Sequence, residues 1–327
     1  MHVPALLATV GSLLGHPAPR LVADPPPPRD SVLAAIQAVL DSFRVATKVP
    51  GVTFGIAFPD GSAAGLASGL SDTAARRPMR PTDRLLQGSV GKTYVAAVAL
   101  QLVAEGKLDL DARIERYLDR EPWFGRLPNA KAITVRQLLN HTSGLIRYEF
   151  NPAATKILRE QPLKVWTPEE RLAFLFDQPA PFEAGAGWDY SDTNYIVLGM
   201  IIERLTGRSY YDELRRRILG PHELTNTIPS DRPDLPGLAN GYAGPGNELG
   251  GYDASTVRGK LAVNPQFEWT GGGIASTTED LARWGKLLFE GKVVPEAQLK
   301  AALDGVPAKL GPNTRYGLGV IIRDTPL

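Results

Sequence analysis

Hydrophobic and polar positions change period several times along the chain. From Ser31 to Phe43 (SVLAAIQAVLDSF), Val32, Leu33, Ile36, Val39, Leu40 and Phe43 recur at helical spacing, which predicts an amphipathic helix with Asp30 as its N-cap. Pro50-Gly51 breaks that pattern. Val52 to Phe58 (VTFGIAF) then reads as a strand, Pro59-Asp60-Gly61-Ser62 as a hairpin turn, and AAGLASG as a weaker returning strand. A helix followed by an antiparallel hairpin points to an α/β layer. Between about residues 80 and 225 the pattern is mostly helical. TYVAAVALQLVAEG is apolar nearly all round, as in a helix buried inside a domain, and Gly106 is its stop. Thr134 and Gln137 have the form of a capping box opening VRQLLNH, and Thr167-Pro168-Glu169-Glu170 supplies an N-cap, a first-turn proline and two acids. Asn194 to Thr206 is a second buried helix, stopped by Gly207. Residues 228 to 268, rich in Gly, Pro, Asn and Asp, predict a long irregular surface excursion. Ser276-Thr277-Thr278-Glu279 then caps the helix DLARWGKLLFEG, and Tyr316 to Arg323 (YGLGVIIR) reads as one strand. No internal repeat is visible.

Length and composition narrow the function classes. With 327 residues and 43% hydrophobic content, the chain can bury a large core as one large domain or two intertwined ones. Its 36 basic and 35 acidic residues leave a formal net charge of +1, which gives no electrostatic case for nucleic acid or an anionic membrane surface. The one basic triplet, Arg215-Arg216-Arg217, is expected on a solvated helix face. There is no cysteine, so disulfides, thiolate metal sites and a thiol nucleophile are excluded. The four histidines (His2, His16, His141, His222) show no ligand spacing, and no metal or other cofactor is expected. Chemistry is left to hydroxyls, lysines, carboxylates and tyrosines. At the N-terminus, Ala5 to Gly15 is apolar but too short to span a bilayer, and a proline-rich segment follows to Pro28. This is similar to a secretory signal with a polyproline spacer, which predicts export to a periplasmic or extracellular space. A basic leader residue and a clean cleavage site are lacking, and the alternative is a disordered leader.

Ser89 and Lys92 form the only Ser-x-x-Lys spacing in the chain. Three residues apart on a helix, a hydroxyl and an ammonium share a face. At the head of a buried helix, backbone N–H groups and the dipole favour developing negative charge. A serine hydroxyl needs a neighbouring base, and a lysine in an apolar pocket has its pKa lowered towards that role. The alternative is an N-cap serine beside a surface lysine. Rival arrangements fit less well. Gln87 stands where a Gly-x-Ser-x-Gly elbow needs glycine, and a Ser-His-Asp triad would have to recruit His141, expected to be a hydrogen-bonded turn residue at a helix end.

Five ordered blocks carry a family resemblance: Ser89-Val90-Gly91-Lys92, Glu105 to Asp111 (EGKLDLD), Leu138 to Gly144 (LLNHTSG), Tyr190 to Tyr195 (YSDTNY), and Gly271 to Thr277 (GGGIAST). Together they resemble the serine β-lactamase-related superfamily, in the branch of class C β-lactamases, D-Ala-D-Ala carboxypeptidases and family VIII carboxylesterases. The resemblance runs from about residue 30 to the end. It implies an α/β fold in which an antiparallel sheet, flanked by the first and last helices, packs against an all-helical region with the site between them. On this chain it divides as residues 1–29 leader, 30–78 first part of the α/β region, 79–268 mainly helical, and 269–327 an incomplete return to the α/β region. Ser89 is then the acylated nucleophile, Lys92 its proton partner, and Tyr190 the phenol that carries the proton to the leaving group. An ammonium beside a tyrosine favours its phenolate, which supports that role independently. The substrate implied is a small molecule or a peptidoglycan-derived D-alanyl peptide, a β-lactam or a related amide or ester. The alternatives are a family VIII-type carboxylesterase and a non-catalytic ligand-binding relative.

Two departures from the family pattern matter. The family's Tyr-x-Asn has Asp192 here, which offers only acceptors where Asn offers a donor. Asp192 either shifts recognition away from acylamido substrates, or caps the following helix or pairs with Lys92. The family's third motif, whose backbone supplies half of the oxyanion hole, normally follows the Tyr-Gly-Leu-Gly strand and is not reached by Leu327. Trp269-Thr270-Gly271 belongs to the earlier glycine block and is rejected as a substitute. The expectation is a truncated member lacking about 60 to 80 residues of strands and closing helix. Trp188, Tyr148 and Trp269 are candidates for lining the substrate cleft, with core aromatics as the alternative.

Overall fold

The computed structural model describes residues 28–242, 256–257 and 260–324. The apolar leader predicted as a signal lies outside the described residues, as does the centre of the expected surface excursion.

The first helix, α1 (Arg29–Thr47), begins at Pro28 rather than at Asp30. The Pro28 carbonyl accepts from Ser31 and Val32 N–H, so Asp30 falls inside the first turn, where its charge still faces the positive end of the helix dipole. Strands β1 (Gly51–Ala57) and β2 (Ala63–Asp72) pair antiparallel from Gly51 opposite Gly69 to Ala57 opposite Ala63. The turn between them closes through Phe58 N–H to the Ser62 carbonyl at 2.8 Å. The returning strand expected to be weaker is the longest in the protein among the described residues, and it also pairs with β3 (Arg77–Pro78).

Next come β4 (Leu85–Leu86) and α2 (Gly91–Ala104). Tyr94 to Leu100 and Leu102 of α2 are at most 2% exposed, which explains its apolar character on every side. Each such Val or Leu side chain contributes roughly 1.5–3 kcal/mol by burial. Gly106, at φ +70°, ends the helix as expected. Helix α3 (Val135–Leu139) is opened by a capping box in which Thr134 and Gln137 each bond the other's backbone, and Thr167 and Glu170 repeat the arrangement further on. Helix α4 (Asp192–Thr206) packs against α2 and α3 at the centre of the core and stops at Gly207. Strand β5 (Ile228–Pro229) and strand β6 (Ile274–Ser276) join β4 in a small antiparallel sheet of order β4-β6-β5, which brings the Ser89 segment beside the glycine block. Helix α5 (Thr278–Phe289), capped by Thr277, lies across β1 and β2 and stacks Trp284 on Tyr94 of α2 at 3.9 Å. Helix α6 (Glu296–Leu303) follows.

Two sequence expectations are corrected. YGLGVIIR is not one strand: β7 (Val306–Pro307), β8 (Thr314–Tyr316) and β9 (Ile321–Arg323) form a separate three-stranded antiparallel sheet, with a turn at Gly317–Val320. Gly319 takes φ +85° there, and a Cβ at that position would sit 2.5 Å from Ala96 of α2. The chain therefore reverses where an alternating pattern reads straight on. The basic triplet is not wholly solvated either. Arg217 is buried between Glu213 and Glu105, while Arg215 and Arg216 stay exposed.

Candidate active site

Ser89 occupies a 3-10 turn, Gly88–Val90, that runs directly into α2 and leaves its side chain exposed. Lys92, in the first turn of α2, is fully buried. The reading of an N-cap serine beside a surface lysine therefore fails. The Lys92 Nζ donates to Ser89 Oγ at 3.2 Å and to the Gly271 carbonyl, and pairs with Asp192 Oδ1 at 2.5 Å. Two hydrogen bonds and one ion pair thus tie Lys92 to three chain segments. Such a junction requires backbones in contact. A Cβ on Gly91 would stand 2.5 Å from the Gly272 carbonyl oxygen, and one on Gly272 would stand 2.4 Å from that of Gly88. The glycine block is what lets the two loops touch. Gly271 N–H is already bonded to Glu268 O at 2.7 Å, so Gly271 serves this site as an acceptor.

The charge state of Lys92 differs from the sequence expectation. Burial alone would push the ammonium pKa down, but the Asp192 carboxylate and then Tyr190 outweigh it, and the net shift is upward. The pocket is not apolar, because the residue that replaces the family's Asn supplies a counter-charge. Of the two structural alternatives for Asp192, pairing with Lys92 is the one found; the helix cap position belongs to Ser191.

Tyr190 meets this pair from a separate loop. Lys92 Nζ lies 5.0 Å from its ring centroid and Arg147 Cζ lies 5.4 Å away. The structure brings Ser89, Lys92, Tyr190 and Asp192 together. It does not bring Tyr148 to them as a polar ligand: Tyr148 is buried and its hydroxyl donates to the Phe267 carbonyl at 2.8 Å. Trp269 is also core. Trp188 is nearly buried beside His141 and Tyr316, and its Nε1 has no partner among the described residues.

Sequence reasoning missed two acids. Glu149 bonds Arg147 at 2.6 Å through Oε1, yet burial and the Asp192 charge push its pKa up, and its Oε2 is left without a partner. Glu268 keeps some surface, but enough protein surrounds it that burial, with Asp192 beside it, pushes its carboxyl up to about 7 against the pull of Lys92. Glu268 is held by the backbone around it: buried Arg171 donates to the carbonyls of Phe267 and Gln266. No motif marks Glu149; the only signal for Glu268 is an acid just ahead of the glycine block. Among the described residues no cluster of His, Asp or Glu could hold a metal ion.

Ser89, the buried Lys92 and Tyr190 from a distant loop thus meet beside the glycine block. The family model Beta-lactamase matches residues 34–327, and the chain belongs to that family. It is 26% identical over 273 residues to penicillin-binding protein 4* of Bacillus subtilis, covering 79% of this chain and 56% of that protein. It is 30% identical over 263 residues to a D-aminopeptidase of Brucella anthropi, covering 79% and 46%. The chain thus spans about half the length of the curated relatives it matches. Among solved structures, a D-stereospecific amidohydrolase from Streptomyces sp. superposes with a TM-score of 0.74 at 32% identity, over 88% of this chain and 82% of that one. No helix among the described residues is long and apolar enough to cross a membrane.

Proposed function

We propose that this chain is a serine hydrolase that forms an acyl-enzyme at Ser89 from D-aminoacyl amides or short D-alanyl peptides with a free α-amino group. The observation that carries the reading is the Lys92 ammonium held at once by Ser89 Oγ, Asp192 and the Gly271 carbonyl. Because Lys92 stays charged, it acts on the serine as a fixed positive charge that steadies the oxygen as its proton leaves. Tyr190 carries that proton to the departing amine. Ser89 Oγ bonds to the acyl carbon, the C–N bond breaks, and water later releases the acid. The backbone N–H of Ser89, at the head of α2, is one donor for the developing oxyanion.

The substrate class rests on charge. Lys92 is paired with Asp192 and Arg147 with Glu149, while Glu268, close enough to feel both Asp192 and Lys92, has no ion-pair partner among the described residues. Such an acid suits a substrate ammonium, in keeping with a D-aminopeptidase and a D-stereospecific amidohydrolase as relatives. Export, the location the leader favours, belongs to the same proposal.

The test is intact-mass detection of the acyl-enzyme and product release with D-alanine p-nitroanilide, its L-isomer, its N-acetyl derivative, a fluorescent penicillin and p-nitrophenyl butyrate. The free D-amine should react fastest, and Ser89→Ala should abolish every adduct. A faster reaction with the N-acetyl compound or penicillin would replace the substrate class, and preference for the butyrate would select the esterase reading. Adducts that survive Ser89→Ala would overturn the mechanism.

A further inference from the structure

We infer that His141 is the positioning residue that fixes Tyr190 at the Ser89–Lys92 pair. This rests on the reading of Tyr190 as the proton carrier. The residues on either side of Tyr190 are both tied to His141: Asp189 N–H donates to the His141 carbonyl at 3.1 Å, and Ser191 N–H donates to His141 Nδ1 at 3.3 Å. The imidazole then lies against the phenol itself, ring centroids 4.3 Å apart and tilted by 35°. One residue therefore holds Tyr190 before, after and across its ring. His141 can do so because it sits at φ +64° just past α3, a left-handed conformation that turns its carbonyl and its ring towards the same loop.

The hydrogen bonds also fix the tautomer. Nδ1 faces the Ser191 N–H and the Asn194 amide nitrogen at 3.0 Å, so it is the acceptor and the proton resides on Nε2. That Nε2 is buried with no partner among the described residues. The groups around the ring are Lys92 from α2, Arg147 from the loop after α3, Tyr190 and Trp188 from the loop before α4, Tyr195 from α4 and Tyr316 from β8. Burial, followed by the Lys92 and Arg147 charges, holds the imidazole well below its ordinary pKa. A neutral ring keeps its acceptor for Ser191 at every working pH, and it adds no second cation beside the ammonium.

The experiment is a double-mutant cycle of His141→Asn and Tyr190→Phe, reading the single-turnover rate of Ser89 labelling by a fluorophosphonate. Asn tolerates the left-handed backbone but removes the ring. His141→Asn should slow labelling by about 10- to 100-fold. Tyr190→Phe should slow it at least as much, and the double variant should be no slower than Tyr190→Phe alone. Additive losses would show a general structural role and overturn the inference. Full activity in Tyr190→Phe would overturn it together with the Tyr190 reading, while label persisting in Ser89→Ala would instead sink the serine mechanism. Nitrogen-15 NMR of the unmutated protein supplies a readout that does not depend on the variants folding. One imidazole should remain a neutral Nε2–H tautomer from pH 5 to 9. A titrating ring, or one protonated on Nδ1, would overturn the assignment.

Discussion

Glu268 carries a cost that pH can reveal. Its folded pKa of about 7 lies above the ordinary carboxyl value near ~4.3, so the folded chain holds that proton after the unfolded chain has lost it. Its contribution to stability is therefore full at low pH and falls as pH rises from about 4 to 7, by at most about 4 kcal/mol. Glu268→Gln should leave the melting temperature unchanged at pH 4 and raise it by several degrees at pH 8. A difference that stays flat across that range would show that the carboxyl is not perturbed. The proposed pairing of Glu268 with a substrate ammonium would account for a carboxyl kept at such a cost. The sequence makes Ser89 and Lys92 legible because three residues of helix fix their separation. It is misleading about the lysine's charge, which depends on Asp192, 100 positions away. Glu149 and Glu268 gain their meaning only from the fold, since nothing local distinguishes them from surface acids.

Among the elements, the junction of the Ser89 turn with the glycine block leaves no room for a side chain. Gly272→Ala would place a methyl group 2.4 Å from the Gly88 carbonyl oxygen, and backbone must yield. The expected result is a loss of about 1–3 kcal/mol in stability and a fall of about a hundredfold in Ser89 labelling, because the proposed nucleophile moves with its turn. Gly285→Ala, in α5 with open space around it, is the control and should cost nothing. If both variants label alike, the close approach does not set the nucleophile. Helices were readable here because their ends are written in side chains: Thr134 with Gln137, Thr167 with Glu170, and the stops at Gly106 and Gly207. The segment from 316 to 323 was not, because its reversal depends on Gly319 meeting Ala96, a contact absent from any local pattern.

Across the whole molecule, the Arg217 cluster ties the end of α2 to the helical segment 210–219 that carries the basic triplet. Arg217 and Glu213 are almost wholly buried and paired, with Glu105 closing the group. Arg217→Met should lower stability by about 3 kcal/mol, towards the low end for a broken buried pair because Arg216 still bonds Glu213. Urea unfolding should show an earlier midpoint, and Ser89 labelling of the remaining folded protein should be unchanged. A midpoint within error of the parent would mean the cluster holds nothing together. Three arginines in a row look alike as letters, and only the packing decides which one turns inward.

Lys92 draws its partners from residues 89, 192 and 271, so the ammonium joins segments far apart in sequence. A chain that has formed its helices but not closed the glycine block would present a serine no more reactive than one in a free peptide. On the proposed mechanism, reactivity at residue 89 would be a property of the finished tertiary structure.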